Sequence, residues 1–338
     1  MKVGFTHWFW LLATTTLILF LVSLLMPSTL TGPNTGAGFL LQELFAVDTS
    51  NSDIARIILL ELRVPRACLA LLVGASLGLA GAAMQGLLRN PLAEPGVVGV
   101  SGTAALGATL TFYTGLASVA PLALPLGGIT GALAAVVLLF MIAGKYASTA
   151  TLLLAGIALN AIAGALTTLT LNLSPNPFAA MEIIFWQMGS LADRSMLHLQ
   201  LSAPLMLAGW ALILHAAPAA RGLSLGEVTA SSLGINVRTT QRKIILGTAL
   251  CVGAGVAVTG IIGFVGLVVP HLLRRACKND PAQLMLASAV GGASLLLAAD
   301  IAVRCIPTNA ELKLGVVTAL IGAPVFLYLI FKVRRLEQ

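Results

Sequence analysis

The chain has 338 residues, 58% of them hydrophobic and 9% charged, with a mean hydropathy of +0.99. Globular domains carry about 25% charged residues, so the composition excludes a water-soluble domain and indicates a protein built for lipid. The net charge of +7 does not mark a nucleic-acid binder, because the Lys and Arg residues are dispersed between apolar runs and report topology instead.

Ten apolar stretches are long enough for membrane crossings of about 20 residues each: 8–27, 66–88, 95–114, 119–143, 148–172, 196–217, 241–259, 260–276, 282–303 and 313–332. The first resembles a signal peptide, but no small-residue cleavage site follows it, and it is read as a span. An even number puts both termini on one side. With that side cytoplasmic, 13 Lys/Arg fall inside and six (Arg56, Arg63, Arg66, Arg194, Arg304 and Lys313) outside, as the positive-inside rule requires. The expected fold is all-α, polytopic and a single transmembrane domain over 1–338. Its 34 glycines suit close helix packing.

Residues 28–65 form an expected extracytoplasmic segment, in which GFLLQELF and DIARIILLELR read as short amphipathic surface helices. Residues 174–195 form a second, with Trp186 at headgroup depth. Val73-Gly74-Ala75, Gly81 and Pro91 recur as Val252-Gly253-Ala254, Gly260 and Pro270 at one offset. Five spans separate the copies, so a true repeat is inverted across the membrane, and the signal is weak.

The stretch Arg221–Val237 is a polar interruption placed in the cytoplasm. Ser224 and Glu227 fit a capping box, and Gly234 fits a left-handed helix end. About two and a half turns of helix between them are too short to persist alone, so the segment docks, on the membrane surface or on a partner. Thr149, Gly156, Asn160, Gly164 and Thr167 in the fifth span share one helical face, which serves either close packing or the wall of a path. Arg63, Arg66 and Arg304 oppose the charge bias at the outer face. They either pair with Glu61, Asp300 or Glu311, or receive acidic residues of another protein.

Cys68, Cys251, Cys277 and Cys305 are scattered, and His7, His198, His215 and His271 are isolated, so no metal site is expected. No Walker A sequence occurs, and nucleotide hydrolysis belongs to another chain. No ionisable residue stands at mid-span, which argues against the rival reading, an ion-coupled secondary transporter.

From LRVPR and LLVGASLGLAGAAMQGLLRNPLAEPGVVGVSGTAALGA, through LLLAGIALN, GEVTASSLGINV and GFVGLVVPHLLRR, to LLLAADIAVR and ELKLGVVTALIGAPVFLYL, the chain resembles the FecCD-type permeases. These are subunits of ATP-binding-cassette importers for ferric siderophores, haem and vitamin B12. The resemblance implies a type II importer permease fold in an inner membrane and pairing with a second permease copy. It also implies two cytoplasmic ATPase subunits that hold ATP and Mg, and a periplasmic substrate-binding protein. It implies that residues 221–237 carry the coupling helix, with Leu225, Val228 and Leu233 on its buried face and Ser224, Glu227 and Gly234 shaping it. Ser148 and Thr149 match the cytoplasmic gate, and the stripe from Gly156 through Asn160 and Gly164 to Thr167 matches the pore wall. Arg63, Arg66 and Arg304 match positions that accept glutamates from the binding protein. An iron chelate is the expected cargo and vitamin B12 the alternative.

Overall fold

The computed structural model describes residues 5–26, 56–120, 122–144, 148–174, 176–306, 308 and 311–337, and every regular element among them is helical. The helices are α1 (Phe5–Leu25), α2 (Val64–Leu88), α3 (Val100–Tyr113), α4 (Ala123–Ala143), α5 (Thr149–Asn172), α6 (Pro177–Gln187), α7 (Met196–Leu223), α8 (Glu227–Ser232), α9 (Val237–Thr259), α10 (Val265–Leu273), α11 (Pro281–Cys305) and α12 (Leu314–Glu337). Among the described residues, seven helical stretches are long and apolar enough to cross a membrane: α1, residues 58–88, α4, α5, α7, α9 and α11. The apolar part of α12, Leu314–Tyr328, is shorter.

The expected third and eighth spans are broken. A 3-10 turn, Pro95–Val98, precedes the 14 residues of α3, and α10 has nine residues. At 1.5 Å per residue, neither helix covers the ~30 Å of hydrocarbon. Proline and glycine are the cause before α3, where Gly99 has φ +84°. Before α10 the chain unwinds from Gly260 to Phe264, and Phe264 itself has φ +66°. Such backbone survives at membrane depth only where protein satisfies it. Here the Ile261 amide donates to Gln187 O (3.3 Å), and the Ser190 amide donates to Thr259 O (2.8 Å).

α2 and α9 form the centre: 83% and 78% of their apolar windows are buried, against 11% for α1. Small residues allow this. A Cβ on Gly78 would lie 1.9 Å from the Ser288 carbonyl oxygen of α11, and one on Gly81 would lie 2.0 Å from Gly266 O of α10. Backbones that close gain dispersion contacts that lipid cannot replace.

Several expectations are corrected. Residues 56–63 are not a separate surface helix. They are helical and run through a π turn (Ile58–Arg63) directly into α2, the wider turn preceding Pro65, which has no amide to donate. The rest of the 28–65 segment, including GFLLQELF, lies outside the described residues. Trp186, expected at headgroup depth, is 8% exposed and packs edge-on against Phe112 of α3. The lengths of α2–α5 and α9–α12 repeat as long, short, long, long. The sequence motif does not follow that repeat, because Gly81 lies inside α2 whereas Gly260 terminates α9.

The chain ends share a side. α1 runs beside α11, with Thr16 bonded to Ser294 and Ser23 bonded to Arg304. α12 starts near Met188 and passes Phe264 at Gly322. The start of α1 and the end of α12 therefore lie toward the end of the bundle that carries α8.

Candidate functional site

α8 is shorter than its sequence suggests, with six residues. The expected capping box does not form. Ser224 closes the C-terminus of α7, where its hydroxyl donates to Arg221 O (2.6 Å), and Gly226 at φ +106° is the N-cap of α8. Only glycine takes that conformation freely. The C-terminus does follow expectation. The Ile235 amide donates to Ala230 O and the Gly234 amide to Ser231 O, both at 3.0 Å, with Gly234 at φ +80°. This is a Schellman closure. Ala230 is fully buried, and Ile235 packs over Gly222, where a Cβ would meet its Cδ1 at 2.1 Å. One small face thus fixes α8 to α7. Its other apolar side chains are free: Leu225, Val228 and Leu233 are 63%, 83% and 62% exposed.

Released from capping, Glu227 reaches the base of α5. Its Oε1 accepts hydrogen bonds from the Thr149 hydroxyl at the first residue of α5 and from Gln241 Nε2 of α9 (3.3 Å). Gln241 Nε2 also donates to Thr149 Oγ1 (2.9 Å). Gln241 is 4% exposed and had no signal in the sequence beyond being a polar residue at the first position of a span. Ser148 caps α5, its Oγ accepting from the Thr151 amide at 3.2 Å. Beside this triad lies an open groove of about 580 Å³ lined by Ser148, Glu227, Val228, Ser231, Arg238 and Gln241.

The stripe on α5 divides. Gly156 and Thr167 are buried within the protomer, Gly156 lying against the turn before α3, where a Cβ would be 2.4 Å from Val97 O. Asn160 and Gly164 are exposed, and a Cβ on Gly164 would meet nothing within 4 Å. Of the predicted wall, Ser148, Asn160 and Gly164 remain open, with Thr149 half-buried below them. Gly156 and Thr167 serve packing.

The three outer arginines follow the pairing alternative within the protomer. Arg63, Arg66 and Arg304 are 3%, 6% and 8% exposed. Arg66 bridges Asp300 (2.8 Å) and Glu311, while Arg304 pairs with Asp300 and with Ser23. Arg63 Nη1 donates to Leu24 O and Leu25 O, both at 3.1 Å, and Arg304 Nη1 donates to Ser23 O (2.9 Å). Two guanidiniums therefore satisfy the last carbonyls of α1, where a positive charge is favourable. The arginines are consumed in joining α1, α2, α11 and the segment before α12.

A carboxylate does enter the bundle. Glu94 Oε1 accepts the Phe264 amide (2.7 Å) just ahead of α10. Phe264 is two residues from Gly266, which touches Gly81. Gly81 is seven residues from the end of α2, a depth of about 10 Å at 1.5 Å per residue. The sequence hid this group because Pro91 and Pro95 frame it in an apparent loop. Among the described residues no cluster of three His, Cys, Asp or Glu could hold a metal.

A small docked helix tied to the base of a half-exposed helix, inside a bundle with two broken spans, is a transporter geometry. A model of the FecCD transport family matches residues 15–332. The chain belongs to the FecCD transport family. It is 39% identical over 297 residues to the hemin transport system permease protein HmuU of Yersinia pestis, covering 85% of this chain and 87% of that protein. It is 41% identical over 285 residues to the vitamin B12 import system permease protein BtuC of Vibrio cholerae, covering 83% and 85%. A solved inward-facing metal-chelate-type ABC transporter superposes with a TM-score of 0.83 at 29% identity, covering 96% of this chain and 98% of that one. As a FecCD member the chain is an integral membrane permease of the ABC importer type and not an enzyme. In such importers hydrolysis belongs to a separate ATPase subunit.

Proposed function

We propose that this permease conducts an iron chelate, a ferric siderophore or haem, inward along the axis between two copies of itself. The α8 end faces the cytoplasm, as the charge distribution favours. There the exposed Leu225, Val228 and Leu233 seat in an ATPase subunit that holds ATP and Mg. A periplasmic protein delivers the cargo at the opposite face. ATP binding draws two α8 helices together, and each α8 carries the base of its own α5 with it. Ser148 and Thr149 then set the gate, and Asn160 and Gly164 border the path.

The bond between Glu227 and Thr149 carries this reading, since it ties the ATPase-facing helix to the pore helix without an intervening element. The cargo assignment rests on the hemin permease and the metal-chelate transporter. Vitamin B12 is the second reading, favoured by the 41% identity to a B12 permease against 39% to the hemin permease. The test is uptake into vesicles containing the permease, its ATPase and its binding protein, with labelled haemin, a ferric siderophore and cobalamin offered separately. ATP-dependent accumulation of an iron chelate is expected. Accumulation of cobalamin alone would replace the cargo, and uptake that follows an ion gradient without ATP would end the importer reading.

A further inference from the structure

A pocket of about 300 Å³ opens at the α8 end, away from α5, between the base of α2, the end of α7 and the turn joining α10 to α11. Its polar lining is Gln85, Arg89, Asn90, Ser224, Arg274 and Asn279, and no carboxylate contributes to it. The nearest acid in sequence, Asp280, is engaged elsewhere: it pairs with Arg221 (3.0 Å) and accepts the Ala282 amide (2.9 Å). Neither Arg89 nor Arg274 has an ion pair among the described residues. Arg274 spends one Nη2 hydrogen on Gln85 Oε1 (2.6 Å), while its Nε is buried with no hydrogen-bond partner. Arg89 and Asn279 hold left-handed backbone (φ 48° and 62°), a cost that a designed turn tolerates and a plain loop avoids.

Two unneutralised guanidiniums, one with an orphaned buried donor, among amides and a hydroxyl, make a site for an anion with several acceptor oxygens. The walls narrow the choice of source. Ala82 lies six residues inside α2 and Leu284 lies in the first turn of α11, so the pocket reaches about 9 Å past the helix end, room for a glycerol backbone beneath a headgroup. We infer that this pocket binds the phosphate headgroup of an anionic lipid, with Arg89 and Arg274 on the phosphate and Ala82 and Leu284 against its glycerol. Basic pockets between membrane helices take such headgroups. A bound lipid here would brace the turn at Gly226, since Arg89 Nη1 stands 3.6 Å from where a Cβ would project.

The test titrates the full-length chain, purified and delipidated in detergent, with dihexanoyl phosphatidylglycerol, dihexanoyl phosphatidylcholine or inorganic phosphate. Bound lipid is counted by native mass spectrometry and binding is followed by melting temperature. Saturable binding of phosphatidylglycerol over phosphatidylcholine is expected, weakened roughly fivefold by each of Arg89→Gln and Arg274→Gln, as the loss of one basic residue at a charged bilayer implies. Equal binding of the two lipids, or an unchanged affinity in both variants, overturns the site. Inorganic phosphate that binds as tightly as phosphatidylglycerol and competes with it would make this a soluble-anion site and refute the lipid. If Arg274→Gln does not fold, Arg89→Gln decides alone, because the Arg89 side chain is exposed.

Discussion

The carboxylate of Glu227 on α8 accepts a hydrogen bond from the hydroxyl of Thr149, the first residue of α5, seventy-eight positions away in sequence. Gln241 completes a closed triangle by donating to both. Hydrogen bonds to a charged acceptor contribute about 1.5–3 kcal/mol each, enough for α8 and the foot of α5 to move as one body.

Replacing Thr149 by Val keeps the volume and removes the donor. Cargo transported per ATP hydrolysed should fall roughly tenfold, the kinetic equivalent of losing one such bond, while Thr149→Ser restores it. Unchanged stoichiometry in Thr149→Val vesicles would show that force reaches α5 by another route.

Gly234 isolates the backbone contribution of the α8 closure, since a Cβ there meets nothing within 4 Å. Gly234→Ala should therefore cost about 1 kcal/mol from its left-handed φ alone and loosen the end of α8. Co-purification of the ATPase subunit should drop while the permease still inserts and runs monodisperse. Full ATPase retention would mean the Schellman turn is dispensable.

At the opposite end, the buried ion network makes single removals costly. Arg66→Met removes the guanidinium that bridges Asp300 and Glu311, and breaking a buried pair typically costs about 3–5 kcal/mol. Thermal unfolding in detergent should shift down sharply, with the surviving folded fraction still binding its periplasmic partner. Weakened docking at an unchanged melting temperature would restore Arg66 to a surface role.

Asp280 supplies a pH dependence. Burial pushes its carboxyl up, but hydrogen bonds from Arg221 and from the Gln283 and Ala282 amides outweigh that and hold it below the usual range. A depressed folded value means stability that is present above the ordinary carboxylate pKa and lost as pH falls through the folded one. Asp280→Asn keeps an N-cap oxygen for α11 and abolishes the charge. Wild type should melt above the variant at about pH 6, and the gap should narrow below about pH 4. A gap independent of pH would assign Asp280 a capping role only.

Much of the bundle was legible because membrane insertion is written in run length. Twenty apolar residues must become a helix in lipid, whatever they later touch, and α4, α5, α7, α9 and α11 follow. The broken spans escaped, since 95–114 and 260–276 satisfy the hydropathy rule yet contain Pro95, Gly99, Gly260 and Gly263, whose cost is decided by neighbours. The capping box failed for a similar reason. Ser224 and Glu227 had the right spacing, but Glu227 gains more from Thr149 and Gln241 than from the amides of its own short helix.

Sequence alone determined the class of the protein, its unbroken apolar helices, the left-handed stop at Gly234 and, through recurring motifs, the family. Those properties depend on local propensity and on transfer into lipid, which residues express independently. Tertiary structure decided which charges are available. For Arg63, Arg66 and Arg304 the sequence left internal pairing and a receptive outer surface both open, and Asp300, Glu311 and the last carbonyls of α1 enclose them in the protomer. Glu227 read as a capping residue of its own helix until Thr149 came within reach, and Glu94 drew no notice until Phe264 did. A charged side chain in a low-dielectric bundle takes its role from whatever closes around it, and that enclosure is set by packing between segments far apart in the chain.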